Sequence, residues 1–379
     1  MNVTFLKSAV ITSIIINLIS FGERAYCAVD QLLNGNFYQN PAELSLIDEI
    51  QLMGGNLFIT PTFKFTGTSA GGTGSATSNV TNYLPYLLTA YRVTDRFVVG
   101  FNITPSGYGH LDWPMDSIVV NDSTVTNLLY YRAAIQSSYQ LTDKLALGVG
   151  LNLEENYLAE LDFVIPNQGN QINKARGLNY TADIGLLYKF NPRNTLTMAV
   201  YSPVDNKLGY GSSVLNTTVS NNFSLNLAEA AVAFVGLQHQ LTDKWFLEEK
   251  VYWSGWSILK NIYFTNTTTG TYVTPTNWKD VWSYQGSTRY AITEKIALLG
   301  SAIYETNPTT VATNQLGYPL SDSASGSIGL DLSLQKKLST QIVYSYGTFI
   351  SKSPINTSGS KGSVTANSHA VILQLTYKT

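Results

Sequence analysis

From residue 50 onward, apolar and polar positions alternate with a period of two, in segments of the length that tilted membrane strands need. The clearest segment runs from 145 to 154. Leu145, Leu147, Val149, Leu151 and Leu153 share one face, and Ala146, Gly148, Gly150, Asn152 and Glu154 the other. Ile328, Leu330, Leu332 and Leu334 oppose Gly329, Asp331, Ser333 and Gln335 in the same way. At the C-terminus Val371, Leu373, Leu375 and Tyr377 oppose Ile372, Gln374, Thr376 and Lys378. One apolar face and one small or polar face suit a sheet standing between lipid and a wet lumen.

The alternation predicts fourteen strands: 50–66, 82–93, 97–109, 124–141, 145–162, 175–190, 195–212, 222–241, 245–264, 279–292, 296–307, 323–335, 339–351 and 367–379. Even-numbered segments are followed by short polar turns, VTDR, LTDK, FNPRN, LTDK, ITEK and QKKL. Odd-numbered ones are followed by longer stretches rich in Gly, Ser, Thr and Asn, such as 66–79 and 350–367. Short turns at one end and long loops at the other mark an all-β, membrane-spanning antiparallel barrel of fourteen strands, with both termini on the periplasmic side of a bacterial outer membrane. In hydrocarbon an open sheet edge would cost several kcal/mol per unpaired backbone group, so the sheet must close. QLTDK, at 140–144 and again at 240–244, is then a periplasmic turn, with Thr142-Asp143 and Thr242-Asp243 bonding side chain to backbone.

Two segments fit this scheme poorly. Glu249 falls among Trp245, Leu247, Val251 and Trp253 on the face assigned to lipid, and 222–241 has no clean polar face. A bulge or an interface position would reconcile both. A soluble β-sandwich is the rival fold, and it would have to explain why loop length alternates with register.

Composition supports the barrel. Charged residues make up 13% of the 379, about half the ~25% of a soluble domain, and hydrophobic residues reach 44%. Trp245, Tyr252, Trp253, Trp256, Trp278, Trp282, Tyr284, Tyr290, Tyr344 and Tyr346 fall on candidate strands, where interfacial girdles use such side chains. Lys7, the apolar run from Ser8 to Phe21 and the small and polar residues after it are laid out as a secretory signal peptide, 1–28, cleaved after Cys27 or Ala28. Cys27 is the single cysteine, so no internal disulfide is possible, and Arg24-Ala25-Tyr26 makes a poor lipobox. There is no basic tract for nucleic acid. Catalytic motifs and metal clusters are absent too: His110, His239 and His369 are scattered, and neither a cofactor nor a metal is implied. A Ser-His hydrolase on the barrel wall would have to draw on His239 or His369.

Ahead of the first strand stands NGNFYQNPAELSLI, in which Asn40-Pro41-Ala42 follows the signal and precedes the strand-rich remainder. Downstream come DKWFLEEKVYWSGWS and WKDVWSYQGSTRYAITEKIALLGSAIYETNP, followed by GYPLSD, with Asn307-Pro308 and Pro319. In this order the motifs resemble the FadL/TodX-like outer-membrane transporters of long-chain fatty acids and hydrophobic compounds, over most of the mature chain. The resemblance implies a hatch plugging the lumen, here 29–49 with the Asn40-Pro41-Ala42 motif, ahead of a barrel over 50–379. It also implies passive uptake of a long-chain fatty acid or other hydrophobic ligand, captured at extracellular loops and released sideways through a kink in the third strand. That strand reads FVVGFNITPSGYGHL. Pro105 removes a ladder donor, and Gly107 and Gly109, flanking Tyr108, weaken pairing and permit a bend. Alternatively, Pro105 simply begins an extracellular loop. The hatch is shorter than the family's usual one, and Thr379 replaces a terminal aromatic.

A carboxylate ligand would want Lys or Arg beside an apolar groove. Parity turns Lys279, Val281, Ser283, Gln285, Ser287 and Arg289 to the lumen if Trp282, Tyr284 and Tyr290 face lipid, and Lys174 and Arg176 stand near the extracellular start of the sixth strand. Lys174, Arg176, Lys279 and Arg289 are therefore the candidate ligand or lumen residues. The expected partners are the hydrophobic ligand, outer-membrane lipids with lipopolysaccharide, and the barrel assembly machinery, around a monomer. The rival function is a general porin or a surface adhesion barrel.

Overall fold

The computed structural model describes residues 39–379, the side chains at 156, 157, 205 and 206 excepted. The expected signal peptide, 1–28 with Cys27 and Ala28, and residues 29–38 of the expected hatch lie outside the described residues. In chain order the strands are β1 (Ile50–Ser69), β2 (Gly72–Asn79), β3 (Asn82–Thr94), β4 (Phe97–Asp112), β5 (Val125–Gln140), β6 (Leu145–Leu161), β7 (Phe163–Ile165), β8 (Gly169–Asn191), β9 (Asn194–Tyr201), β10 (Val204–Leu215) and β11 (Thr218–Glu229). They continue with β12 (Val232–Thr242), β13 (Trp245–Ser254), β14 (Asn261–Thr267), β15 (Gly270–Pro275), β16 (Val281–Ala291), β17 (Ile296–Glu305), β18 (Ser323–Gln335), β19 (Leu338–Phe349), β20 (Ser353–Asn356) and β21 (Lys361–Lys378).

Antiparallel pairing carries the sheet round from β1 through β3, β4, β5, β6, β8, β9, β12, β13, β16, β17, β18, β19 and β21. β21 then pairs back onto β1, Leu375 opposite Gly54, so the fourteen-stranded barrel closes. The period-two reading holds residue by residue. Leu147, Val149, Leu151 and Leu153 are exposed on the outer wall, while Ala146, Asn152 and Glu154 are buried in the lumen. Trp282, Tyr284 and Tyr290 face out, and Val281, Ser283, Gln285 and Ser287 face in.

Four of the short turns work through threonine. Thr142 Oγ1 accepts the N–H groups of Lys144 (3.3 Å) and Leu145 (3.1 Å), and Thr94, Thr242 and Thr293 accept in the same way in their own turns. Asp243 instead forms an ion pair with Arg193 at 3.2 Å.

The other end of the barrel differs from the expectation of loops. The Gly- and Ser-rich stretch 66–79 is a hairpin, with β1 paired to β2 from Thr62↔Asn79 to Ser69↔Gly72. β7/β8, β10/β11, β14/β15 and β20/β21 likewise build ordered hairpins above the barrel wall. Asparagine explains part of this composition: Asn167, Asn216 and Asn266 hold φ of 64°, 52° and 58°, the left-handed values that asparagine tolerates and tight turns need.

The two poorly fitting segments resolve differently. No bulge sits at Glu249, which stays on the outer face opposite Leu237 and Gly286; the irregularity in that pair lies at Gln240/Thr242, beside the turn. Segment 222–241 is two strands, β11 and β12. The inward face of β11, Phe223, Leu225 and Leu227, packs on Ala159, Ala175 and Leu208, so apolar residues belong there. β9 and β10 are separated at Ser202-Pro203, where Pro203 has no N–H for a ladder bond.

Candidate functional site

Asn40 has extended backbone (φ −122°, ψ 109°), and its side-chain oxygen accepts the Ala42 N–H at 2.9 Å, so it caps a 3-10 helix over Pro41–Leu46. Pro41 sits at the first helical position, where a missing N–H costs nothing. The helix lies inside the barrel, against the inner faces of β4, β5, β6 and β8, with Asn40, Ala42 and Leu44 fully buried. Asn40 Nδ2 donates to the Leu186 carbonyl (2.9 Å) and Thr197 Oγ1 (2.7 Å), and Ser138 Oγ donates to the Ala42 carbonyl at 3.1 Å.

Two glycines make the seat. A Cβ on Gly148 would stand 2.2 Å from Ala42 N and Pro41 C, and one on Gly185 would stand 1.8 Å from Asn40 Oδ1. The helix touches the wall only because neither strand carries a side chain there. Past the helix, Arg92 turns the chain toward β1. Its guanidinium donates to the carbonyls of Ser45 (2.8 Å), Asp48 (2.8 Å), Asp95 (2.9 Å) and Ile47 (3.0 Å from Nε).

Glu43 is the helix's buried charge. Its carboxylate accepts from Thr197 Oγ1 and from Gln238 Nε2 (3.2 Å), and Gln238 Nε2 also donates to Glu248, the ion-pair partner of Lys250 at 3.1 Å. Burial pushes the Glu43 carboxyl up to about 7; Lys250 draws it back and Glu248 adds to the rise.

The second element is a break in the wall. β3 and β4 pair from Thr94↔Phe97 only as far as Leu87↔Ile103. Beyond that, Thr104 to Asp112 of β4 keep their ladder to β5 but have no ladder to β3, whose residues 82–86 remain paired to β1. The β4–β5 register slips between Pro105 and Gly107, leaving Ser106 as the extra residue of a bulge. Side chains bridge the break. Asn82 Nδ2 donates to Tyr108 Oη, and Asn82 Oδ1 contacts His110 Nδ1 at 2.9 Å. Gly109 makes room for Tyr318, whose ring would meet a Cβ there at 3.1 Å.

The third is a cavity of about 1110 Å³ in the extracellular half of the barrel. Gly107 and Tyr108 from the break form part of its wall, with Tyr130, Leu227, Phe264 and Trp278. A volume of this size holds an extended hydrocarbon chain or several aromatic rings.

Pro105, Gly107, Tyr108 and Gly109 thus stand at the bulge and the ladder's end, and Asn40, Pro41 and Ala42 in the seated helix. None of the four basic candidates lines the cavity. Lys174 and Arg176 alternate with buried Asn173 and Ala175 and face outward, Lys174 paired with Glu160 at 2.9 Å. Lys279 is exposed ahead of β16, with its backbone N–H donated to the Pro308 carbonyl (2.8 Å). Arg289 forms an ion pair with Asp331 at 3.1 Å, toward the short-turn end. Parity sorted inside from outside along β16, but height along the barrel and the partner strand's acid decided what each base meets. Sequence reasoning missed Gly148, Gly185 and Arg92; the one available signal was glycine at inward positions of an otherwise ordinary strand.

Known proteins share this architecture. A family model described as outer membrane protein transport protein (OMPP1/FadL/TodX) matches residues 22–379. The long-chain fatty acid transport protein of Escherichia coli K12 is 21% identical over 366 residues, covering 82% of this chain and 81% of that one. Among solved structures, a Pseudomonas aeruginosa FadL homologue superposes with a TM-score of 0.82 at 16% identity, covering 96% of this chain and 99% of the other. The Pseudomonas putida toluene transporter TodX superposes at 0.71 and 16% identity, covering 90% and 92%. The match spans the barrel from its first strand to its last together with the helix seated inside it, and the chain belongs to the OMPP1/FadL/TodX family of outer-membrane transport proteins, a transport channel and not an enzyme.

Proposed function

We propose that this barrel takes up hydrophobic molecules passively, holds them in the cavity of the extracellular half and releases them sideways through the break between β3 and β4, while the helix Pro41–Leu46 and the residues ahead of it act as a hatch across the lumen. The observation that carries this reading is that the cavity wall includes Gly107 and Tyr108, at the place where the β3–β4 ladder has stopped. A molecule leaving there enters lipid directly. Release into water instead would cost it ~0.8 kcal/mol for each methylene re-exposed.

The relatives act on long-chain fatty acids in one case and toluene in another, by their names, and the hydrocarbon part of either suits such a route. The outward Lys174 and Arg176 suit contact with lipopolysaccharide phosphates, assembly falls to the barrel assembly machinery, and a sheet closed on itself works as a monomer.

Asn82 and His110 meet across the break, so replacing both with Cys and joining them with a short thiol cross-linker should close it. Uptake of a labelled hydrophobic probe by cells should fall to the level of a deletion strain and return when the link is cleaved. Unchanged uptake through the linked barrel would refute lateral release. Conductance of small polar solutes through the wild-type barrel would favour a porin.

A further inference from the structure

The charge around the cavity narrows the cargo, on the premise that the cavity is where cargo is held. Among its described lining residues there are four carboxylates, Asp122, Asp162, Glu229 and Glu305, and no Lys, Arg or His. They come from four separate parts of the chain: the segment between β4 and β5, the junction of β6 and β7, the end of β11 and the end of β17. Outside the described residues the only bases in the sequence are Lys7 and Arg24, both in the expected signal peptide. Two nearby bases form ion pairs with acids outside the lining, Arg132 with Glu154 and Lys174 with Glu160, and Lys174 acts on Asp162 as well.

The rest of the wall is aromatic where it is not aliphatic. Trp256 and Trp278 meet edge to face at 5.3 Å, and Trp278 stacks on Tyr318 at 6.0 Å. Ring faces carry negative potential, so they add to the carboxylates. A ligand carboxylate entering here would leave water for a site offering like charge and no basic partner, which costs it doubly. A protonated amine would meet ring faces and acids. Asp162 is buried in this wall and accepts the Asn173 N–H at 2.8 Å; burial, with Glu160 beside it, pushes its carboxyl up to about 7 against the pull of that N–H and of Lys174.

We propose that the cavity selects apolar molecules bearing a protonated amine, alkyl or aryl alkylamines, over neutral alcohols, and disfavours carboxylates of the same chain length. The charge a cargo carries, more than its length, then sets its place in the order.

The test uses the full mature chain in lipid nanodiscs at pH 7.5, with empty nanodiscs as the control for partitioning. A neutral fluorescent hydrophobe, N-phenyl-naphthylamine, is bound and then displaced by dodecylamine, dodecanol and laurate. Displacement should rank amine, alcohol, carboxylate, each step about tenfold. Laurate displacing as well as dodecanol, or dodecylamine no better than dodecanol, would overturn the proposal. Absence of saturable probe binding would overturn the uptake reading itself and this inference with it. Thr274→Lys places a base in the lining and should improve laurate by about tenfold; Glu305→Gln, a milder change, should weaken dodecylamine several-fold and leave dodecanol unmoved.

Discussion

Gly148→Ala tests whether the seated helix depends on bare backbone in the wall. The new Cβ would lie 2.2 Å from Ala42 N and Pro41 C, where ordinary van der Waals contact begins at 3.4 Å, so wall and helix must separate by more than 1 Å. Neither side yields cheaply: β6 is fixed by ladders to β5 and β8, and the atoms it meets are helix backbone. The helix is held at this point by three hydrogen bonds of 2.7 to 3.1 Å, Asn40 to Leu186 and Thr197, and Ser138 to Ala42. Each contributes ~1 kcal/mol net, so the displaced helix is about 2–4 kcal/mol less firmly seated, or ~30- to 1000-fold in the ratio of seated to unseated forms. Gly286→Ala is the matched control, because a Cβ there has nothing within 4 Å. Planar-bilayer recordings should show frequent openings for Gly148→Ala and none beyond wild type for Gly286→Ala. Amide exchange at Ala42 to Leu44 should quicken in parallel. A Gly148→Ala barrel that stays as closed as wild type, with those amides equally protected, would refute the reasoning.

Other expectations follow from the same helix. Glu43 has a carboxyl raised from the ordinary 4.5 to about 7, so its proton favours the seated form. That stabilisation is complete below about 4.5 and is lost as pH climbs through 7, on the order of 3 kcal/mol in all. Channel openings should therefore become more frequent from pH 5 to pH 8, and Glu43→Gln should flatten the dependence; an unchanged slope in that variant would assign it elsewhere. Arg92→Ala removes the donor to four backbone carbonyls and should cost about 2–3 kcal/mol at the segment 45–48, read as faster amide exchange there with the barrel's melting temperature little changed.

The physics that made the barrel legible is local. A strand's side chains alternate whatever its neighbours are, so the lipid and lumen faces of 145–154 and 281–290 could be read directly, and both match their observed burial. Turn chemistry is local too: Thr94, Thr142, Thr242 and Thr293 each bond within their own turn, so the strand count was within reach. Misreadings came where a residue's meaning lies in a partner far along the chain. The Gly-rich stretch 66–79 resembles a loop until β21 pairs along the other edge of β1, Thr66 opposite Ser363, and Phe223, Leu225 and Leu227 lack a polar face because they pack on other strands.

The same division holds at the candidate site. Asn40 and Pro41 carry helix-start chemistry in themselves, a capping oxygen and a preset φ, and Pro105 announces a lost ladder donor. What the sequence by itself determined is therefore the wall: how many strands, which face of each meets lipid, and where the chain turns. Only the tertiary structure decided that Gly148 and Gly185 admit the helix, that the β3–β4 ladder stops at Ile103, that Lys174 and Arg289 are paired with acids outside the cavity lining, and that carboxylates stand in it. The reason is register. Alternation places a side chain inside or outside, but its height on the barrel and its neighbours across the lumen arise only once the strands have paired and the sheet has closed.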